Sequence, residues 1–123
     1  MKKLLGLALI LPLACALPKG FAALSTPVWV TSNNHRDVDV YLLCGNRDAI
    51  WLGLVGARGD GIFEIPSAKA RPCVAGLNFF LVPRAYNRGY WVGPLHLQAD
   101  SRVELVIEKY AALSAARLRR DLP

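Results

Sequence analysis

The sequence predicts an all-β fold, an antiparallel Greek-key β-sandwich of about seven strands. Two observations lead to this prediction. Apolar residues recur at alternate positions in short segments between residues 28 and 107, the period of a strand with one buried face. Polar or glycine-rich turns interrupt the pattern roughly every eight to twelve residues, as in small sandwiches. No convincing helical period is present between residues 28 and 109.

The first four strands are defined by alternation and by the turns between them. In the second, the inward set ends at Cys44, whereas Asp39 and Tyr41 take the outward positions. Glycine-containing turns occupy 45–48 and 56–61, and Pro66 ends the fourth strand. The predicted segments are 28–31, 37–44, 50–54 and 62–65.

The last three strands follow a polar connection at 67–72, which we expect to cross between sheets. Segment 77–82 is apolar on both faces, as in a central strand. Segment 90–97 is interrupted by Gly93-Pro94, and segment 102–108 alternates regularly. The residues from Ala111 to Arg120 favour a short helix by composition. Because ten residues alone are marginal in water, we expect a frayed tail unless a partner orders it.

The N-terminus has the layout of a bacterial export signal. Lys2 and Lys3 precede an apolar run that small residues close. We therefore divide the chain into a signal or lipoprotein signal at 1–22, a sandwich domain at 23–110 and a basic tail at 111–123. This division predicts a periplasmic or extracellular domain, either released or tethered to a membrane.

Cys15 leaves three fates open for this segment. Ala14 and Ala16 fit the pattern that signal peptidase cleaves, which would release the domain. Leu13-Ala14-Cys15 resembles the end of a lipobox, with Pro12 where Leu is usual, which would make Cys15 an acylated anchor. The third fate is an uncleaved N-terminal segment that spans the membrane. Residues 4–17 are short for this, because as a helix they extend only about 21 Å and the hydrocarbon core is about 30 Å thick.

Charge and cysteine content limit the partners and the compartment. Loss of Lys2, Lys3 and Lys19 with the signal would reduce the net charge from +6 to +3, too little and too scattered for nucleic acid. The exported domain would then hold Cys44 and Cys73, an even pair that predicts one disulfide.

The basic tail holds a small cluster of arginines. Arg117, Arg119 and Arg120 lie within four positions and are candidates for contact with anionic lipid head groups. A solvated tail is the commoner explanation for such a cluster.

Side chains that would support catalysis or metal binding are sparse. No serine stands in a G-x-S-x-G elbow, and the acid pairs fall on outward strand positions. His35 and His96 lack a nearby carboxylate pair. We therefore expect no enzyme, no cofactor and no metal site.

Several aromatic residues fall out of phase with the inward aliphatic sets. If those sets form the core, aromatics bordered by arginine face outward, as in a binding surface. Coverage of these faces by loops is the alternative. The residues we select for this surface are Trp29, Trp51, Tyr90 and Trp91.

Five motifs also carry a resemblance to known proteins. They are Val28-x-Val30-x-x-Asn33, Asp37-Val38-x-Val40-Tyr41, Trp51-Leu52-Gly53-x-Val55, Phe63-x-Ile65-Pro66 and Arg102-Val103-x-Leu105-x-Ile107. Together they resemble small exported bacterial proteins that are similar to transthyretin-like or carboxypeptidase-regulatory-like β-sandwiches. The resemblance implies the fold and carries no chemistry. The chain departs from it by having Trp51 where Arg is common and by adding the cysteine pair.

These observations predict a non-catalytic exported sandwich. The preferred hypothesis is an accessory subunit that binds another protein at the external face of a bacterial membrane complex. The alternative is a module that binds a small ligand or carbohydrate through exposed aromatics.

Overall fold

The computed structural model describes residues 25–45, 48–98 and 101–119, which form two facing sheets of four strands each. Sheet A has the order β4-β1-β7-β8, and sheet B has the order β3-β2-β5-β6. A short helix α1 (Ser67–Ala70) and 3₁₀ turns at Arg71–Ala75 and Ala111–Leu113 complete the elements. The strands are β1 (Thr26–Ser32), β2 (Val38–Cys44), β3 (Ile50–Val55), β4 (Asp60–Ile65), β5 (Leu77–Pro83), β6 (Tyr90–Leu95), β7 (Arg102–Ile107) and β8 (Ala115–Arg119).

The predicted all-β sandwich is confirmed, with two differences in its details. The described residues form eight strands rather than about seven. The sandwich is also not wholly antiparallel, because β1 and β7 pair in parallel, with Val28 opposite Val103. Strand β6 of sheet B ends at the end of the sandwich where β1 begins. The chain crosses there to sheet A, so β7 starts beside the start of β1 and runs parallel to it.

Neither an α-helix nor a frayed tail is found in residues 111–119. Residues Ala115–Arg119 instead form β8, which pairs antiparallel with β7 and places Leu118 opposite Val103. A lone helix of this length gains little in water, whereas the open edge of β7 offers backbone hydrogen bonds and an apolar surface for Leu118. The first part of the predicted tail therefore belongs to the domain.

The core lies between the two sheets and consists of the inward sets that alternation predicted. β2 and β5 illustrate the rule, because every second residue of each strand is buried and the intervening ones are partly exposed. Phe79 is the largest fully buried side chain. The main contributors from sheet A are Val28, Ile65, Val103, Leu105 and Ile107, and those from sheet B are Val38, Val40, Leu42, Leu77 and Leu81.

The connection between β4 and β5 crosses from sheet A to sheet B. Pro66 ends β4 and leads into α1, and the following 3₁₀ turn buries Cys73 completely. Cys73 forms a disulfide with Cys44, the last residue of β2, so the predicted disulfide is confirmed. Its backbone carbonyl also accepts a hydrogen bond from the N–H of Leu97 (3.3 Å), which joins a further segment to the crossover.

The sandwich has two distinct ends. The terminal end contains the start of β1, the end of β8 and the disulfide. The distal end contains the loops at 33–37, 56–59, 84–89 and 108–114. Seven-residue strands separate the two ends by about 23 Å at 3.3 Å per residue.

The predicted signal segment 1–22, with Cys15, lies outside the described residues. Among the residues that are described, no helix has the length and apolar character needed to cross a membrane.

Removal of the disulfide by the double substitution Cys44→Ala and Cys73→Ala should lower the free energy of unfolding by about 3–4 kcal/mol, since it frees a loop of about 30 residues in the unfolded chain. Urea denaturation monitored by tryptophan fluorescence measures this loss. The control Cys15→Ser should leave the stability unchanged. A double variant as stable as the wild type would contradict the prediction.

Candidate functional site

Four aromatic side chains form a row across the outer face of sheet B. Strand register places Tyr41 of β2 opposite Trp51 of β3 and also opposite Phe80 of β5. Phe80 in turn lies opposite Trp91 of β6. We call these four residues the aromatic row. Three strand spacings separate its outer members, or about 14 Å.

The row faces outward because its neighbours along each strand face the core. In β2, Val40 and Leu42 are buried, so Tyr41 between them points away from sheet A. The outer members are well exposed, Trp51 by 54% and Trp91 by 57%. An exposed apolar strip of this kind is typical of a surface that another molecule covers.

The central part of the row is held by aromatic packing. The rings of Phe80 and Trp91 have centroids 4.5 Å apart and planes tilted by 41°. Phe80 lies over the backbone of Gly89, where an added Cβ atom would overlap the ring. The absence of a side chain at Gly89 therefore allows Phe80 its place beside Trp91.

Hydrogen bonds fix the orientation of Trp51. Its indole N–H donates to Asp39 Oδ1 at 3.0 Å. The guanidinium of Arg84 donates to the same carboxylate through Nε at 2.9 Å and Nη2 at 3.1 Å. These bonds, that from Arg84 above all, hold the pKa of Asp39 below its ordinary value and raise the pKa of Arg84. Asp39 and Arg84 thus form an ion pair with each other at the border of the aromatic row.

The structure separates the four residues selected from sequence. Trp51 and Trp91 lie on the same face, as members of the aromatic row. Trp29 lies on β1, opposite Ile62 and Glu104 on sheet A, and is thus on the other side of the sandwich. Its side chain is also half-buried. Trp29 and Trp51 therefore do not form one continuous surface.

Tyr90 and Trp91 lie on opposite faces of β6. Adjacent residues of a strand point to opposite faces, and Val92, which shares the phase of Tyr90, is buried. Tyr90 therefore points away from the aromatic row and lines a cleft at the distal end. Tyr41 and Phe80 take its place in the row. Their outward phase is visible in the sequence, whereas their alignment depends on strand register.

Two of the three arginines considered for lipid contact form ion pairs with a single glutamate. Arg117 Nε lies 2.6 Å and Arg119 Nη1 lies 3.0 Å from Glu104 Oε1. These contacts, with that from Arg117 the strongest, hold the pKa of Glu104 below its ordinary value. Much of the positive charge of Arg117 and Arg119 is thus balanced within sheet A. Arg120 lies outside the described residues.

The described side chains offer no grouping that favours metal chemistry. Within residues 25–45, 48–98 and 101–119, no three His, Cys, Asp or Glu residues come together as a potential metal site. What the aromatic row can do chemically is to bury apolar and planar groups.

Comparisons with known proteins add little to this description. No family model matches the sequence, and no curated protein matches it either. Among solved structures, the chain is similar to an NMR structure of a protein from Eubacterium rectale, at 8% sequence identity and a TM-score of 0.48. That match covers 80% of this chain and 91% of the other.

Substitution of Gly89 by Ala should displace the Phe80 ring and disturb the row. We expect a loss of about 1–3 kcal/mol in unfolding free energy, as for overpacking elsewhere, and a change in the near-ultraviolet circular dichroism of the aromatics. Gly61→Ala is the matched control, because the nearest atoms to its added Cβ lie 4.0 Å away. Identical spectra and stability for the Gly89 variant would contradict the packing described above.

Substitution of Asp39 by Asn should destabilise the protein at neutral pH by up to about 1 kcal/mol, the range for exposed ion pairs. Because the native pKa of Asp39 lies below its ordinary value of 3.8, the contribution of the carboxylate is fully present above that pH. It is lost as the pH falls through the native pKa. Urea denaturation at a series of pH values should therefore show the wild type and the variant converging in acid. A difference that persists unchanged into acid would refute this, and Asp60→Asn supplies the same charge change on sheet A as a control.

Proposed function

We propose that the protein is a non-catalytic, exported binding module that docks on another protein through the aromatic row. In its most specific form, it is an accessory subunit at the external face of a bacterial membrane complex. The observation that carries this proposal is the alignment of four aromatic side chains across sheet B, with Trp51 and Trp91 exposed by more than half.

The chemistry of the row supports a protein partner. Tryptophan and tyrosine are enriched among the residues that contribute most to binding energy, and they act best at the centre of an interface with a polar rim. The paired Asp39 and Arg84 supply such a rim beside Trp51. Because Asp39 already fixes the indole, Trp51 loses little side-chain freedom when a partner covers it.

Export is supported by the disulfide. Bridges such as Cys44–Cys73 persist mainly in oxidising compartments, including the bacterial periplasm. The eight-stranded sandwich also agrees with the fold implied by the resemblance to exported transthyretin-like proteins. Acylation at Cys15 would tether the domain, and cleavage beside it would release the domain.

Contact with anionic lipid is the weaker part of the proposal. Glu104 accepts hydrogen bonds from both Arg117 and Arg119, and these pairs would have to open before either arginine met a head group. The charge available from the described part of the tail is correspondingly small.

Carbohydrate binding is the alternative use of the same surface. Sugars stack best on aromatic faces that lie in one plane. The 41° tilt between Phe80 and Trp91 interrupts such a plane, whereas protein side chains pack readily against tilted rings. The geometry therefore favours the protein partner.

Co-purification from the native membrane and periplasmic fractions tests the proposal. The wild-type chain should copurify with a discrete partner, and Trp51→Ala combined with Trp91→Ala should abolish this while the variant still folds and unfolds cooperatively on heating. Ile62→Ala is the matched control, since Ile62 is an equally exposed apolar residue on sheet A. A wild-type protein that is always a free monomer would overturn the proposal, and binding on a glycan array would favour the alternative.

A further inference from the structure

A cleft of about 270 Å³ lies at the distal end of the sandwich. Three connections form it, namely the loop after β1, the loop after β5 and the 3₁₀ segment between β7 and β8. This volume is slightly below the range usual for ligand pockets, so it suits a small molecule. The aromatic row lies on the face of sheet B, whereas this distal cleft lies beyond the ends of the strands.

The charged side chains that line the distal cleft are basic. Arg36 and Lys109 contribute to its wall beside the imidazole of His35, and no aspartate or glutamate among the described residues does. The acids that adjoin these residues in sequence accept hydrogen bonds, Glu108 from Asn33 Nδ2 at 3.4 Å and Asp37 from the N–H of Ala57 at 2.9 Å. The cleft therefore favours an anion on charge alone.

Arg36 is held in place but is only partly satisfied. Its backbone N–H donates to Asn34 Oδ1 at 3.0 Å, and its Nη1 donates to the carbonyl oxygen of Arg84 at 3.1 Å. Its Nε is buried without a hydrogen-bond partner among the described residues. A buried donor without a partner is costly, and a carboxylate is the acceptor that the guanidinium fork fits best.

The remaining surface of the cleft is aromatic. Tyr86, Tyr90 and Tyr110 all line it. The Arg36 guanidinium lies 5.0 Å from the ring centre of Tyr86, and Lys109 Nζ lies 5.8 Å from that of Tyr110. Each of these cations is thus positioned beside a ring that can also pack against a flat ligand.

We propose that the distal cleft binds a small organic anion, a carboxylate carried on a planar aromatic body. The carboxylate pairs with Arg36 and is attracted by Lys109, and the body packs among the three tyrosines. This site is independent of the protein partner proposed for the aromatic row.

Benzoate is the probe that tests this site. Titrated into the purified full chain with ¹⁵N labelling, benzoate at millimolar concentration should shift amide resonances of the three connections. Benzamide has the same shape without the charge and should bind at least about tenfold more weakly, the factor expected for loss of a charged hydrogen bond. Acetate, which lacks the ring, should also bind more weakly.

Two variants locate the interaction. Arg36→Gln should weaken benzoate binding by about tenfold or more. Lys109→Gln changes an exposed residue and should weaken it severalfold without affecting the fold, which keeps the test valid if the Arg36 variant is unstable. Arg71→Gln, at the other end of the sandwich, should bind as the wild type does.

The proposal is overturned if benzoate produces no shifts, if the shifts lie outside the three connections, or if benzamide binds equally well. It is also overturned if a folded Arg36 variant and the Lys109 variant both retain wild-type affinity. Failure of these tests would leave the co-purification result untouched, because no residue of the aromatic row is altered.

Discussion

The burial of β2 and β5 at the centre of sheet B is the constraint on which the other features depend. Val40 and Leu42 on one strand, and Phe79 and Leu81 on the other, are sealed against sheet A. Strict alternation then requires the residues between them to face outward, and the register of the two strands places Tyr41 opposite Phe80. A slip of one residue in this pairing would exchange the core and the outer surface, so the aromatic row is as well determined as the core itself.

Most strands of the sandwich could be predicted because the burial of one strand face leaves a pattern within that strand alone. A strand that covers a core on one side must alternate, and that period is visible in the sequence without any partner. The disulfide was predictable for a different reason, namely that Cys44 and Cys73 are the two cysteines of the segment predicted as the sandwich domain. The eighth strand was not predictable, because Ala, Leu and Arg favour helix locally while the open edge of β7 is a tertiary feature.

The site was predictable only in part, since alternation shows which residues of a strand share a face but not which strands are neighbours. Trp51 and Trp91 come from strands at opposite edges of one sheet, whereas Trp29 belongs to the other sheet. The period-two rule alone places Tyr90 and Trp91 on opposite faces, because they are adjacent residues of one strand. The requirement for glycine at position 89 comes from a tertiary contact with the Phe80 ring, which the sequence alone does not reveal.

The position of the strand ends has a consequence for how the molecule meets its surroundings. β1 begins and β8 ends at the same end of the sandwich, about 23 Å from the distal loops. If acyl chains on Cys15 anchor the protein, the eleven residues to Thr26 limit its height above the bilayer to roughly 35–40 Å. The attachment point would then lie at the terminal end, opposite the distal cleft. The aromatic row on the face of sheet B and the cleft beyond the strand ends are separate surfaces, so a macromolecule on the row would not cover the entrance of the cleft.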